Sequence, residues 1–384
     1  MSRKQAWAYM SRTIEGPSRT LQELLAQGRD IEAIARGVKQ REPWCGALLQ
    51  QTQSRYGEDQ SSEDLAKIRA LGGRLITPED PEWPREAFDQ AFGFAASGVS
   101  EHARSYADDA VSPHALWVRG QDLGGLSQQA VAMVGTRAIS PYGSRVCAMV
   151  GEHLAQHHWT IVSGGALGVD TAAHQAALAA GGSTVVVAAC GLDRAYPARN
   201  AALFEQVVER GAVVSEYPPG MVPHRHRFLT RNRLVAALSA GVVVVEAAWR
   251  SGALNTLLWA QAFGKVAMAI PGPITSVNAL GCHEKIKTGD AQMVCSGQEI
   301  LELIQRLGSV DATAQYELDF AADPIQRLPR NELRVFDALS GQPQSVEEIA
   351  QQAGLSMALS MHLLVTLEHK GLIQREGAHW LRAQ

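Results

Sequence analysis

Apolar runs of strand length alternate with longer, helix-length segments through the middle of the chain, from Pro113 to about Leu307. The apolar runs are VAMVGT, TIVSGG, STVVVAAC, AVVSE, VVVVEA and KVAMAI. Strands that are apolar at consecutive positions are buried on both faces, as they are in parallel sheets covered by helices. The alternation therefore predicts an α/β fold, a doubly wound parallel sheet with helices on both sides.

The first 112 residues have a weaker pattern. Apolar residues recur with helical spacing in LQELLAQGRDIEAIARG and SSEDLAKIRALGG, and LITPEDPEWP combines a strand with turn residues. Residues 86–112 show no clear period. We therefore predict a small helical N-terminal domain with an extended connection over 1–112, followed by the sheet domain over 113–308.

The last part of the chain predicts a linker and a third domain. Residues 309–329 are polar, and over 330–384 the pattern predicts three helices followed by a β-hairpin, the order of a winged helix. A capping box formed by Ser345 and Glu348 opens the second of these helices. Basic and acidic residues balance at six each from Arg327 to the end. The balance favours a protein-interaction or accessory role over sequence-specific DNA reading, and both stay open.

Composition limits the compartment and the partners. The five cysteines of the 384 residues are scattered without a CxxC pair, which favours a reducing cytoplasm and excludes a disulfide framework or a zinc site. The chain has no long apolar segment, so we predict a cytoplasmic protein without a membrane span. Its net charge is −4, so a polyanionic partner would require a local basic patch.

Glycine-containing loops follow the first two predicted strands of the sheet domain. In parallel sheets the loops at the carboxyl ends of the strands hold the ligand, and backbone N–H groups beside a helix N-terminus suit an anion such as phosphate. Tight packing also explains glycines in such loops. The patterns GxGxxG and GxxxxGK[ST] are absent, so no dinucleotide or P-loop cofactor is predicted. The candidate phosphate-binding residues are Gly135, Thr136, Arg137, Ser163, Gly164 and Gly165.

Asp170 and His174 follow the second glycine loop at helical spacing. They could act as a general acid–base pair, or they could shape the loop and pack near the sheet, which we favour. His283 beside Cys282 is interpreted as a polar loop residue. The sequence shows no nucleophile elbow and no metal-ligand spacing, so we predict no catalytic residue, no metal and no enzyme activity.

The segment PHRHRFLTRNR, residues 223–233, is the predicted basic patch. No acidic residue occurs from Tyr217 through Val245. Arginine binds phosphates through paired hydrogen bonds, and an aromatic ring between arginines can stack on a base, as in proteins that hold single strands. A further loop follows VVVVEA. The candidate strand-binding residues in these two segments are Arg225, Phe228, Arg231, Asn232, Arg233, Ser251 and Gly252.

Several of these strings occur together and in order in one known family. They are PHALWVRG, VGTRAISPYG, SGGALGVDTAAHQAAL, ACGLDRAYP, FLTRNRLVAALS, VVVVEA, SGALNT and PGPITS. Over about residues 113–295 the chain resembles the DprA/Smf family of DNA-processing proteins, and its C-terminal domain resembles the accessory domain that many members carry.

The resemblance implies an extended Rossmann-like fold that binds single-stranded DNA without sequence preference. It implies protection of incoming DNA and loading of the RecA recombinase in natural transformation and recombination. Its implied partners are RecA, single-strand-binding protein and a second copy in a homodimer, and it implies no catalysis. Carried over by motif, Arg137, Ser163–Gly165 and Arg231–Arg233 would line the strand, Phe228 would stack a base and Arg225 would add charge.

Two other functions stay open at this point. A Rossmann-like nucleotide-binding enzyme, such as a nucleoside monophosphate phosphoribohydrolase, is the alternative, but its PGGxGTxxE signature is absent. A protein adaptor without nucleic-acid binding is the other, and the arginines of residues 223–233 argue against it.

Overall fold

A computed structural model describes residues 1–305, 325 and 328–382 of the chain. Contacts divide the chain into two compact units, Met1–Val310 and Asp311–Gln384. The predicted linker 309–329 falls almost entirely outside the described residues. The predicted boundaries at 112, 308 and 329 stay predictions.

The first unit contains a nine-stranded sheet in the order β1-β2-β6-β5-β4-β3-β7-β8-β9. Neighbours from β6 to β9 in this order pair in parallel, and β1 and β2 pair antiparallel. The doubly wound parallel sheet is confirmed, with two antiparallel strands at one edge that the apolar runs did not place. The strands are β1 Gly73–Ile76, β2 Leu116–Gly120, β3 Ala130–Val134, β4 Thr160–Ser163, β5 Thr184–Ala188, β6 Ala212–Ser215, β7 Gly241–Val244, β8 Val266–Ala269 and β9 Gln292–Met293.

Helices cover both faces of this sheet. Their bounds are α1 Arg3–Ile14, α2 Arg19–Ala26, α3 Ile31–Gln40, α4 Ala47–Gln51, α5 Ser61–Ala70, α6 Arg85–Ala96, α7 Glu101–Ser105, α8 Leu123–Leu126, α9 Pro141–Gln156, α10 Val169–Ala179, α11 Ala201–Arg210, α12 Arg225–Ala237, α13 Ala253–Ala262, α14 Leu280–Lys287 and α15 Gly297–Ile304. Short 3₁₀ helices occupy Pro43–Cys45, Ala198–Asn200 and Val277–Ala279.

Strand β3 shows why the predicted strands are apolar throughout. Alternate side chains of a strand point to opposite faces of a sheet. Ala132 and Val134 pack in the core shared with α12 and α13, whereas Val131 and Met133 pack in the core shared with α9 and α10. Both sets are buried, so every position of the strand is apolar.

The N-terminal helices share a core with the sheet. Trp117 on β2 is fully buried, and its Nε1 donates to Ser11 Oγ of α1 at 3.1 Å. Arg12 and Asp64 form a buried ion pair, with 2.5 Å between Nε and Oδ2. Arg12 also donates through Nη2 to the carbonyl of Pro219, at 2.7 Å. The region 1–112 is therefore packed against the sheet strands through α1 and α5.

The 86–112 stretch, which has no clear period, contains α6 and α7. Phe88 and Phe92 of α6 are buried, and the ring of Phe92 meets that of Phe263 edge-on, at 5.0 Å between centroids. The alanines and aromatics of this stretch therefore cover one face of the sheet.

The second unit has the predicted winged-helix order. The capping box between Ser345 and Glu348 opens the second helix, and Trp380 of the hairpin is buried. The elements are α16 Arg330–Ala338, α17 Val346–Ala353, α18 Met357–His369, β10 Ile373–Glu376 and β11 His379–Arg382. Among the helices of the described ranges, none combines the length and the apolar character that crossing a bilayer requires.

Candidate nucleic-acid interface

The candidate site lies at the carboxyl edge of the parallel strands. The chain runs outward from β3 through β4, β5 and β6, and then returns to the other side of β3 with β7. In doubly wound sheets this reversal opens a crevice, and ligands bind there. The loops after β3, β4, β5 and β7 and the start of α12 meet at this edge.

Glu246, at the end of β7, fixes the loop after β3. It is buried, and its carboxylate accepts hydrogen bonds from the Ser140 amide at 2.9 Å and from Ser140 Oγ at 2.5 Å. Its backbone carbonyl accepts from the Thr136 amide at 2.7 Å. The sequence analysis missed this residue, although an acid that ends the otherwise apolar run VVVVEA is a signal that could have found it.

Gly135 is a glycine because two elements approach it closely. A Cβ at this position would lie 2.6 Å from Val169 Cγ2 and 2.7 Å from the Glu246 carbonyl oxygen. The Val169 amide at the start of α10 donates to the Thr136 carbonyl at 3.1 Å. The start of the loop after β3 is therefore packed between β7 and α10, and the loop becomes exposed at Arg137 and Ala138.

Asp170 occupies the place that the sequence analysis assigned to a phosphate. Its Oδ2 accepts from the amides of Gly164 at 3.1 Å and Ala166 at 3.3 Å. Burial raises the pKa of Asp170, and Arg231 and the amides oppose that rise. These amides, with those of Thr136 and Val169, already donate within the protein. The expected backbone cradle is corrected at Thr136 and Gly164, because their amides donate to the Glu246 carbonyl and to the Asp170 carboxylate.

The other two residues of the second glycine loop also serve its structure. Ser163 is fully buried, and its Oγ donates to the Met133 carbonyl at 2.6 Å. Gly165 has a φ of 70°, and a Cβ there would lie 2.7 Å from the ring of Phe204. Ser163 thus lies beneath the surface rather than on it.

His174 has the structural role that the sequence favoured. It is completely buried, and its Nδ1 lies 2.6 Å from Thr184 Oγ1. Burial lowers the pKa of His174 to about 3, so the ring is neutral at ordinary pH. Asp170 is bound to loop amides instead, and the two side chains do not form an acid–base pair.

Two arginines of residues 223–233 pair with acids that are distant in the sequence. Arg227 is buried and donates through Nε to Glu15 Oε1 at 2.9 Å. Arg233 is fully buried, with 2.5 Å between Nη2 and Glu216 Oε1. The prediction that Arg233 lines the strand is corrected, because its guanidinium is enclosed in the protein.

Arg231 is also internal. It is 5% exposed, and its Nη1 donates to the carbonyls of Gly164, at 2.6 Å, and Val187. Burial lowers the pKa of Arg231, and nearby Asp170 opposes that shift. Arg231 therefore supports the second glycine loop from below, and it does not contact solvent as a phosphate-binding side chain would.

The exposed chemistry of this edge is centred on Phe228. The Arg137 guanidinium lies over the Phe228 ring, 5.7 Å from its centroid, and the Tyr196 ring lies 5.5 Å away. Tyr196 is exposed. Arg225, which lies three residues before Phe228 on α12, is exposed as well. We call Arg137, Tyr196 and Phe228 the Phe228 platform. The sequence analysis missed Tyr196, although the aromatic in the AYP turn after a buried strand points to it.

Further exposed arginines lie in the loops at this edge of the sheet. Arg194 and Arg199 follow β5, and Arg250 follows β7. Arg194 has a weak ion pair with its neighbour Asp193, with 3.6 Å between Nη2 and Oδ2. The surface charge at this edge thus comes from several loops rather than from residues 223–233 alone.

Asn232 joins α12 to the loop after β7. Its Nδ2 donates to Asn255 Oδ1 at 3.2 Å and to the Gly252 carbonyl at 3.4 Å. Ser251 is partly exposed and Gly252 is exposed beside it. The structure brings these three predicted residues together next to the Phe228 platform.

His283 is corrected from a loop residue to a helix residue, since it lies in α14. Its Nε2 is 2.9 Å from the Gly272 carbonyl oxygen. Burial raises the pKa of neighbouring Cys282 to about 12, so this thiol is protonated. Over 1–305, 325 and 328–382, no cluster of His, Cys, Asp or Glu suits a metal ion.

Two family models match the chain. The model described as DNA recombination-mediator protein A matches residues 74–305. The model described as the DprA winged helix domain matches residues 321–379. The chain belongs to the DprA/Smf family. The resemblance over 113–295 is therefore confirmed, and the family match begins further upstream, at the strand β1.

Relatives of the DprA/Smf family agree over nearly the whole chain. The putative DNA processing protein DprA of Mycobacterium tuberculosis is 41% identical over 378 residues, which cover 98% of this chain and 93% of that protein. The X-ray structure of DNA processing protein A from Streptococcus pneumoniae is 29% identical, has a TM-score of 0.62, and covers 80% of this chain and 99% of its own. The predicted Rossmann-like and winged-helix architecture is the architecture of this family.

Proposed function

We propose that this chain binds single-stranded DNA at the carboxyl edge of its sheet without reading the base sequence. The observation that carries the proposal is the Phe228 platform, in which the partly exposed ring of Phe228, the exposed ring of Tyr196 and the Arg137 guanidinium lie together at the strand-order reversal. Every base has a π-face, so aromatic stacking tolerates any sequence, and arginines beside it bind the backbone. Membership in a family of DNA-processing proteins supports this chemistry.

In this proposal the predicted residues divide into two layers. Arg137, Arg225 and Phe228 contact the strand, and Asn232, Ser251 and Gly252 continue the surface beyond the platform. Supporting residues lie beneath and hold the loops: Gly135, Thr136, Ser163, Gly164, Gly165, Arg231 and Arg233. Low-dielectric surroundings screen the charge of the buried Arg231 less than water would. Its positive charge therefore still contributes to the electrostatic potential at the surface.

The cellular role is part of the same proposal. We propose that the protein protects incoming DNA and promotes RecA loading in natural transformation and recombination, as a cytoplasmic homodimer that also meets single-strand-binding protein. The family description as a recombination mediator supports it. We propose no enzyme activity. Asp170, the acid of the second glycine loop, is bound to loop amides, which gives the nucleotide-hydrolase alternative no support.

Fluorescence anisotropy with a labelled oligo-dT strand, measured over a series of salt concentrations, tests the proposal. If about four phosphates are neutralised, log K falls with log salt at a slope of about −3. Duplex DNA of the same length is expected to compete poorly, because its bases are not free to stack. Phe228→Ala is expected to weaken binding about 5- to 100-fold with little change in the slope. Absence of binding at low salt, or equal competition by duplex, contradicts the proposal.

A further inference from the structure

Trp249 differs from the other tryptophans of the chain. Of the eight tryptophans, six are buried and Trp44 is partly buried, whereas Trp249 is 56% exposed. The next residue, Arg250, is exposed too. Both lie in the loop between β7 and α13, so an exposed indole and an exposed guanidinium occur at consecutive positions at the carboxyl edge.

The position of this loop relative to the Phe228 platform is fixed by α12. Phe228 and Asn232 are four residues apart on this helix, so they lie on one face, about 6 Å apart along the axis. Asn232 in turn donates to Asn255 Oδ1 and to the Gly252 carbonyl. The end of the loop that carries Trp249, at Gly252, therefore lies about one helical turn beyond Phe228.

The chemistry of the loop repeats that of the platform. In each place an aromatic side chain that reaches the surface has an exposed arginine near it: Arg137 lies over the partly exposed ring of Phe228, and Arg250 follows the exposed Trp249 in the sequence. Arg137 follows β3 and Trp249 follows β7, and these are the neighbouring strands between which the strand order reverses. A single nucleic-acid strand matches such a repeat, because it is flexible and has one base for each phosphate.

We propose that Trp249 is a second stacking platform for the same single strand, and that Arg250 binds the phosphate next to the stacked base. This inference rests on the proposed function, because it extends the path of the strand from the Phe228 platform across the reversal point to the loop after β7. At least two bases of the strand then stack on aromatic side chains of one protomer.

The test compares substitutions by oligo-dT anisotropy in the full chain. Trp249→Ala is expected to weaken binding about 5- to 100-fold, the range for loss of one base stack, without changing the salt slope. Trp249→Phe keeps a ring and is expected to restore most of the affinity. Arg250→Ala is expected to reduce the steepness of the slope by about 0.7. Phe94→Ala is the matched control, because Phe94 is 40% exposed but packs near Gly264, at the amino edge of the sheet.

A length series separates the two platforms. On the shortest strand that still binds, Trp249→Ala is expected to have no effect, whereas Phe228→Ala weakens binding at every length. On longer strands both substitutions are expected to weaken it. Unchanged thermal unfolding midpoints show that the variants are folded.

The outcomes distinguish this inference from the proposed function. If the unsubstituted chain shows no salt-sensitive binding, the proposed function fails and this inference fails with it. If the chain binds and Phe228→Ala weakens binding while Trp249→Ala does not, only the second platform is overturned. If Trp249→Ala changes the sedimentation of the protein but leaves DNA affinity unchanged, Trp249 is a protein contact, which also overturns the inference.

Discussion

Arg137 and Arg231 both lie at the carboxyl edge of the sheet, but Arg137 is exposed to solvent and Arg231 is buried. Arg137 is exposed above the Phe228 ring, and Arg231 is buried below the second glycine loop, where it donates to two backbone carbonyls. A buried guanidinium that satisfies buried carbonyls contributes to folding, because its removal leaves those oxygens without partners. The same residue type therefore has two separable roles within one site.

This difference gives a prediction for a pair of alanine substitutions. Arg137→Ala is expected to weaken oligo-dT binding about tenfold and to leave the free energy of unfolding unchanged within about 0.5 kcal/mol. Arg231→Ala is expected to lower the free energy of unfolding by about 2–4 kcal/mol. Urea unfolding measured beside anisotropy checks both. If the two variants have the same free energy of unfolding, Arg231 does not stabilise the fold in the way described.

The residues also show where sequence reasoning reached its limit. Phe228, Arg137 and Arg225 were identified from the motif, and the structure leaves them at the surface. Arg233 could not be assigned correctly, because its partner Glu216 lies outside the acid-free stretch and meets it only in the fold. A linear count of charge cannot distinguish a paired arginine from a free one.

Elements were predictable where burial is uniform. Strands β3 to β8 follow from apolar runs because both of their faces are covered. The place of β2 in the sheet was not predicted, since a strand that pairs antiparallel with both of its neighbours has no crossover helix to mark it. Helix α14 was missed, because its eight residues include Lys285 and Lys287 and only Gly281 and Cys282 are buried. Short, half-exposed elements have too little periodicity to be recognised.

The close approach of Gly143 in α9 to Glu246, at the end of β7, gives a prediction at the scale of the elements. A Cβ at Gly143 would collide with the Glu246 carboxylate, and it would lie 3.0 Å from Ile139 Cγ1. Gly143→Ala is therefore expected to displace Glu246 from Ser140, to lower the free energy of unfolding by about 1–3 kcal/mol, and to weaken DNA binding. Urea unfolding and anisotropy are the measurements.

Gly93 provides the matched control for that substitution. It also lies within a helix, α6, but a Cβ there meets nothing within 4 Å. Gly93→Ala is expected to stabilise the protein by about 0.5–1 kcal/mol, because glycine weakens a helix interior. If both substitutions stabilise the chain, Glu246 does not hold the loop in the way described.

The whole chain consists of two units with different surface chemistry. The first unit contains the exposed aromatic and arginine side chains of the candidate interface. The exposed face of α18 in the second unit carries Met357, Met361 and Val365, at a spacing of four residues. A helix that reads DNA presents basic or amide side chains instead. The second unit is thus a poor candidate for the main DNA contact.

Deletion of residues 330–384 tests this division. The shortened chain is expected to retain oligo-dT affinity within about threefold and the same salt slope, because the proposed phosphate contacts lie in the first unit. Anisotropy measures both quantities, and circular dichroism checks that the sheet unit is folded. Loss of nearly all affinity from a folded chain would place a major contact in the second unit.

Asp170 gives the interface its shape before any strand arrives. Its carboxylate accepts from the amides of Gly164 and Ala166, so internal hydrogen bonds already hold the loop above Arg231 in the protein alone. The entropy of ordering this loop is then lost once, during folding, rather than at each encounter. Preorganisation of this kind lets association run at the rate set by diffusion and electrostatic steering, with no loop closure to wait for. A protein proposed to receive a strand and pass it on would then bind and release strands rapidly. The rigid surface that allows this depends on one buried acid, Asp170.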